Sequence, residues 1–182
     1  MAPLDVIVYG HPVLREPART IERITDHHRQ FASELTETMY ENQGIGLAAN
    51  QVGSTQRVVV IDTEWPDREE LNEQPVRQPV VMFNPEILEE SAEDEDASEG
   101  CLSLPGITGT VWRSRRIRFS YTDLEGRRVE RDVAGWLARC VQHELDHLNG
   151  VLFIDRMPAE ERRQIAGQLA VLRRGEQATG SD

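Results

Sequence analysis

The sequence predicts an α+β fold. Strand-like and helix-like segments are mixed without regular βαβ alternation, no internal repeat is visible, and Arg116 to Gly135 has the alternation and central turn of a β-hairpin. Thr25 is a suitable N-cap for a helix reaching about Glu41, with Phe31, Leu35 and Met39 every four residues. Asn42 and Gly44 stop it. "RVVVID" (57–62) and "PVVMFNP" (79–85) read as strands, with a polar surface loop from Thr63 to Gln78 between them. The acid-rich run "EESAEDEDASE" (89–99) reads as a solvated connection, because it lacks the spacing and central glycine of an EF-hand. The hairpin turns at "DLEG" (123–126), and a helix follows from near Asp132 to Gly150, a natural C′ residue. A last helix starts at Pro158, buries Ile165, Leu169 and Leu172, and stops at Gly175 before a frayed tail.

Length and composition restrict the function classes. A chain of 182 residues is expected to form one domain, 1–182, burying about 70% of its unfolded surface. The N-terminus has no basic region followed by an apolar run, so it does not read as a secretion signal, and no segment approaches the roughly 18 apolar residues of a membrane span. Cys101 and Cys140 are too few for a disulfide framework, which favours reduced thiols and a cytoplasmic setting. A net charge of −12 argues against DNA binding by phosphate neutralisation. The arginines at 113, 115, 116 and 118 then read as a strand face paired with surface acids. Lysine is absent, which removes P-loop and Schiff-base chemistry.

"QHELDHLNG" (142–150) carries the first chemical signal. On a helix, His143 and His147 project from one face and two imidazoles can share one ion. Glu144 stands about 100° around the helix from His143, suited to a general base on a bound water and then a general acid toward a leaving amine. A third ligand must come from elsewhere. Cys101, in "EGCLSLPG", would leave one coordination position open for a water acidified toward roughly pH 7. Cys140, three residues before His143 on the same face, allows a second reading, a closed Cys₂His₂ structural zinc site.

"GIGLAANQVG" (44–53) adds independent weight. Glycines at 44 and 46 let backbone approach a ligand closely, and Gln51 offers a neutral amide donor for a developing oxyanion. A helix stop followed by a small-residue turn is the plainer alternative.

Three segments together resemble the peptide deformylases, which remove the formyl group from N-formylmethionine on new polypeptides. The family's G-x-G-x-A-A-x-Q occurs as Gly44 to Gln51, its E-G-C-L-S as Glu99 to Ser103, and its Q-H-E-x-D-H as Gln142 to His147, complete and in family order. The resemblance implies mixed or antiparallel sheets surrounding a central metal-bearing helix, with a C-terminal helix. It assigns Cys101, His143 and His147 as ligands of one divalent ion, iron(II) physiologically, with nickel, cobalt or zinc able to occupy the site. Glu144 becomes the proton shuttle. Gln51 and the backbone N–H of Leu102 become donors to the formyl oxygen, and Ile45 and Gly46 pair with the substrate backbone as an added strand. Cys140 then fits as a wall of the methionine pocket, and Glu99 pairs with Arg113 to fix the cysteine loop.

The substrates so implied are formylmethionyl nascent peptides, with neither DNA nor membrane as partner. Arg162, Arg163, Arg173 and Arg174 admit a transient ribosome contact, although the acidic chain favours ordinary surface charge. The alternative enzyme class is a zincin-type metallopeptidase, which shares H-E-x-x-H. It would need a downstream ligand, and only Glu160, Glu161 or Glu176 is offered there.

Overall fold

A computed structural model describes residues 3–65 and 77–175. Most of the polar loop expected from Thr63 to Gln78, and the expected frayed tail, lie outside these residues. Helix α1 spans Asp26–Glu41, with Thr25 at its N-cap. Strands β1 (Gly46–Ala48), β2 (Val58–Ile61), β3 (Val80–Glu90), β4 (Asp94–Gly100), β5 (Thr108–Ser114), β6 (Arg116–Thr122) and β7 (Arg128–Ala134) follow. Then come helices α2 (Gly135–Leu148), α3 (Ala159–Gln164) and α4 (Ala166–Arg173). All the strand pairings are antiparallel: β1-β2-β3-β6-β7 form one sheet and β4-β5 a second. The architecture is α+β, as the mixed element order predicts.

Alternation within β2 explains the layering. Val58 and Val60 pack with Leu35 and Met39 of α1, while Val59 and Ile61 pack with Val141, Leu145 and Leu148 of α2. A strand apolar on both faces is thereby covered on both. Helix α2 turns its other face to the small sheet through hydrogen bonds: Arg139 donates to the Val111 carbonyl at 2.9 Å, and Gln142 to the Ser114 carbonyl at 2.8 Å. From Ala138 to Leu148 every residue of α2 is buried, so its polar side chains must find partners inside the protein.

Three elements depart from expectation, each for a local reason. The acid-rich run is not a solvated connection. It supplies the end of β3 and then β4, whose seven residues pair in register with β5 from Asp94↔Ser114 to Gly100↔Thr108. Its inward residue Glu99 is satisfied by arginine instead of apolar contacts, so hydrophobic alternation is missing. The metal-bearing helix begins at Gly135 and not near Asp132, because Val133 and Ala134 still pair with Ile117 and Arg116. Gly135 makes the switch from strand to helix with φ of +60°. The C-terminal helix is broken at Ile165, which has ψ of 2°. Glu161 anchors the first piece by accepting the Thr110 N–H at 3.0 Å, whereas Leu169 and Leu172 seat the second in the core beside Tyr9 and Leu14.

Arg115 and Arg118 pair with the surface acids Glu93 and Glu89, as expected, whereas Arg113 is buried and pairs inside the protein with Glu99 and Asp146.

Because Gly135 holds a left-handed backbone where α2 begins, Gly135→Ala is expected to lower stability by about 1–2 kcal/mol, read from the denaturant midpoint at unchanged m-value.

Candidate metal centre and catalytic cleft

The two segments that sequence reading brings together do meet. Cys101 immediately follows β4, and its Sγ lies 3.2 Å from His147 Nε2. His147 Nε2 is in turn 3.2 Å from His143 Nε2. Among the described residues these are the grouped donors, with one ligand atom from each residue and all three within 4.8 Å of one another. Cys140 is not in the group: its thiol points to the Ile45 carbonyl at 3.8 Å. Burial, reinforced by the nearby Glu144 carboxylate, pushes that thiol well above its usual pKa, so it stays neutral. Of the residues considered for a zincin ligand, Glu161 bonds Thr110 and Glu160 pairs with Arg163, while Glu176 lies outside the described residues.

The donor set fits a cation. Tetrahedral coordination at about 2.0–2.1 Å to nitrogen and about 2.3 Å to sulfur spaces such donors roughly 3.3–3.6 Å apart, close to the two 3.2 Å separations seen here.

Glu99 sets the orientation of His143. Its carboxylate receives Arg113 Nε–H at 2.9 Å, Arg113 Nη2–H at 2.8 Å and Arg139 Nη1–H at 2.7 Å. Its Oε2 also lies 2.9 Å from His143 Nδ1. Burial by itself would push this carboxyl up, but the Arg113 and His143 bonds outweigh it and hold the group well below the usual glutamate range. An ionised Glu99 only accepts, so His143 carries a proton on Nδ1 and turns its Nε2 toward Cys101 and His147. Arg113 also reaches Asp146 at 2.5 Å, and Arg156 closes the chain on Asp146 with bonds of 2.5 and 2.6 Å.

Beside the donors runs a cleft of about 560 Å³, lined in part by Ile45, Gly46, Gln51, Leu102, Cys140 and Glu144. Gln51 is buried on the turn after β1. Its Oε1 accepts the Ala48 N–H at 2.9 Å, which fixes the amide so that Nε2 faces Cys101 Sγ at 3.4 Å and Ser103 Oγ at 3.3 Å. Glu144 is 4% exposed, and its Oε2 has no hydrogen-bond partner among the described residues. Burial pushes this carboxyl up to about 7, with the neighbouring His143 opposing the shift. Gly46 suits this packing, since a Cβ there would lie 2.5 Å from Glu144 Oε1 and 3.0 Å from Cys140 Sγ and would displace the Glu144 carboxyl.

A family model described as polypeptide deformylase matches residues 3–163. The chain belongs to the peptide deformylase family. It is 47% identical over 172 residues to a peptide deformylase of Alkalilimnicola ehrlichii, an alignment covering 94% of this chain and 92% of that protein. Among solved structures, a peptide deformylase of Synechococcus elongatus in complex with actinonin superposes with a TM-score of 0.82 at 41% identity, covering 92% of this chain and 86% of that one. That of Thermus thermophilus gives 0.84 at 37% identity, covering 96% and 99%. This deformylase-family chain is therefore an enzyme of the metal-dependent class that removes N-formyl groups from nascent peptides, and the zincin reading is not favoured.

Sequence reading missed four polar residues of the centre. Arg139 and Asp146 lie on the same helix as the histidines, and a charged residue on a helix this apolar was their available signal. Asn50, whose amide donates to the His147 carbonyl, and Ser103 sit inside the quoted motifs but carried no assigned role.

Glu99 is depressed in the folded state, so its stabilisation is fully present above the ordinary glutamate pKa of about 4.3 and is lost as pH falls toward the folded value. The stability gap between metal-stripped wild type and Glu99→Gln is expected to be widest near neutrality and to narrow below about pH 4, measured by urea unfolding across pH.

Proposed function

We propose that Cys101 Sγ, His143 Nε2 and His147 Nε2 hold one divalent cation, iron(II) in the cell, and that the cleft beside them hydrolyses the formyl amide of formylmethionyl nascent peptides. The carrying observation is the convergence of these three donors next to a buried Glu144 whose Oε2 has no hydrogen-bond partner among the described residues. One sulfur with two nitrogens suits iron, nickel, cobalt and zinc alike, and the family resemblance favours iron. When bound, such an ion acidifies a water and polarises a carbonyl.

The chain's own groups divide the remaining work. Strand β1 is an edge strand of its sheet, so a peptide can add alongside it, with Ile45 and Gly46 supplying backbone groups. Backbone pairing accepts many sequences, as an enzyme acting on every new chain requires. Cys140, neutral and buried, walls the pocket for the methionine side chain. Gln51 Nε2 and the Leu102 N–H donate to the formyl oxygen as charge grows on it. Glu144 takes a proton from the attacking water and returns it to the departing amine nitrogen, leaving formate and a free amino terminus. Glu99 and Arg113 act through His143 and the cysteine loop.

We read residues 1–182 as a single catalytic domain working in the cytoplasm, with neither DNA nor membrane as partner. No described helix is long and apolar enough to cross a membrane. A transient ribosome contact through the C-terminal arginines is the weaker reading, because Arg162 and Arg163 pair with Asp155 and Glu160, and Arg173 bonds the Tyr9 hydroxyl.

Anaerobically purified, metal-assayed protein is expected to release formate from a formyl-Met dipeptide. Glu144→Ala should retain its metal while losing about a hundredfold or more in rate, and Gln51→Ala about 10²–10³. Near-normal turnover in either variant removes that residue from the mechanism.

A further inference from the structure

The segment that begins at Thr63 touches the peptide edge from behind. Asp62, just past β2, accepts the Tyr40 hydroxyl at 2.6 Å, the Glu64 N–H at 3.2 Å and the Gln78 N–H at 2.7 Å. One buried carboxylate thus ties together both ends of that segment. Trp65 follows directly, 7% exposed, its ring edge-on to Tyr40 with centroids 5.6 Å apart. Its indole N–H donates to the Gly44 carbonyl at 2.9 Å. The next carbonyl along, that of Ile45, accepts the Asp62 N–H at 2.9 Å. The two peptide groups leading into β1 are therefore gripped by Trp65 and Asp62.

That grip completes the bonds on this stretch: the Gln43 N–H reaches the Tyr40 carbonyl at 3.0 Å and the Gly44 N–H the Met39 carbonyl at 2.8 Å, whereas the Gly44 carbonyl is held by Trp65. Gln43 has φ of +55°, and glycines stand at 44 and 46. With so little side chain to hold it, each bond that fixes such a stretch lowers the conformational cost of pairing a peptide with it. Trp65 is not among the residues lining the cleft.

We propose that Trp65 is a positioning residue for peptide recognition: its indole N–H, by holding the Gly44 carbonyl, presets the edge of Ile45 and Gly46 for pairing with the substrate backbone. This deepens the edge-strand reading above and rests on it. It also gives the start of the 63–78 segment a role in affinity. The lost bond is to Gly44, ahead of β1, while the Ala48 N–H keeps its own hold on Gln51, so the chemical step is largely spared.

The test compares metal-loaded wild type and Trp65→Phe on formyl-methionine amide, which has little backbone to pair, and on a formyl-Met tripeptide. Phenylalanine keeps the aromatic packing on Tyr40 and removes the donor. The variant's KM for the tripeptide is expected to rise about five- to tenfold, with kcat and the KM for the amide within about twofold. An unchanged tripeptide KM, or an equal rise on both substrates, overturns the proposal. Wild type that gains nothing from the longer peptide shows instead that the edge-strand reading has failed, and the proposal falls with it. Trp65→Met, which removes the same donor on a flexible side chain, carries the test if the phenylalanine variant does not fold.

Discussion

The buried carboxylate of Glu99 is the joint on which the centre depends. It belongs to the small sheet and receives N–H groups from a neighbouring strand, through Arg113, and from α2, through Arg139 and His143. One side chain therefore fixes the position of the cysteine loop that begins two residues later, the angle of α2 against that sheet, and the tautomer of a ligand imidazole. Removing one partner from such a buried network costs about 3–5 kcal/mol, since the remaining charges are left without compensation. Asp146 and Arg156 extend the same network to the surface, where Arg156 is half exposed.

Around that joint the two sheets take separate tasks. The five-stranded sheet packs α2 on one face and α1 on the other, and ends at β1, where backbone groups face the cleft. The β4-β5 pair carries the sulfur. The helix between them carries both imidazoles and Glu144. The proposed centre draws on one helix, one strand end and one sheet edge, which must be held in register, and the apolar layer of Val141, Leu145 and Leu148 does this for the helix.

The residues that bear chemistry were the most legible part of the sequence, for a physical reason. Two histidines one helical turn apart, with a glutamate between, express local geometry that needs no tertiary information. Glycine at 46 likewise signals close approach, and the Glu144 carboxylate is what approaches it. What escaped was everything that depends on non-local polar pairing. The acidic run was misread because β4 satisfies its inward residue with arginines from two other elements, leaving no apolar alternation to detect. Arg139 drew no reading, because its role depends on α2 being buried from Ala138 to Leu148. The start of α2 was placed too early because Val133 and Ala134 are as compatible with helix as with strand, and only pairing to β6 decides between them. Trp65 gave no signal at all, since its partner is a backbone carbonyl.

The claim beneath all of this is that one sulfur and two ring nitrogens share a cation. X-ray absorption on the anaerobically metallated protein tests it most directly. The account predicts one sulfur at about 2.3 Å and two imidazole nitrogens at about 2.0–2.1 Å, with the sulfur lost in Cys101→Ser and kept in Cys140→Ser. A shell without sulfur, or one with two, would contradict it.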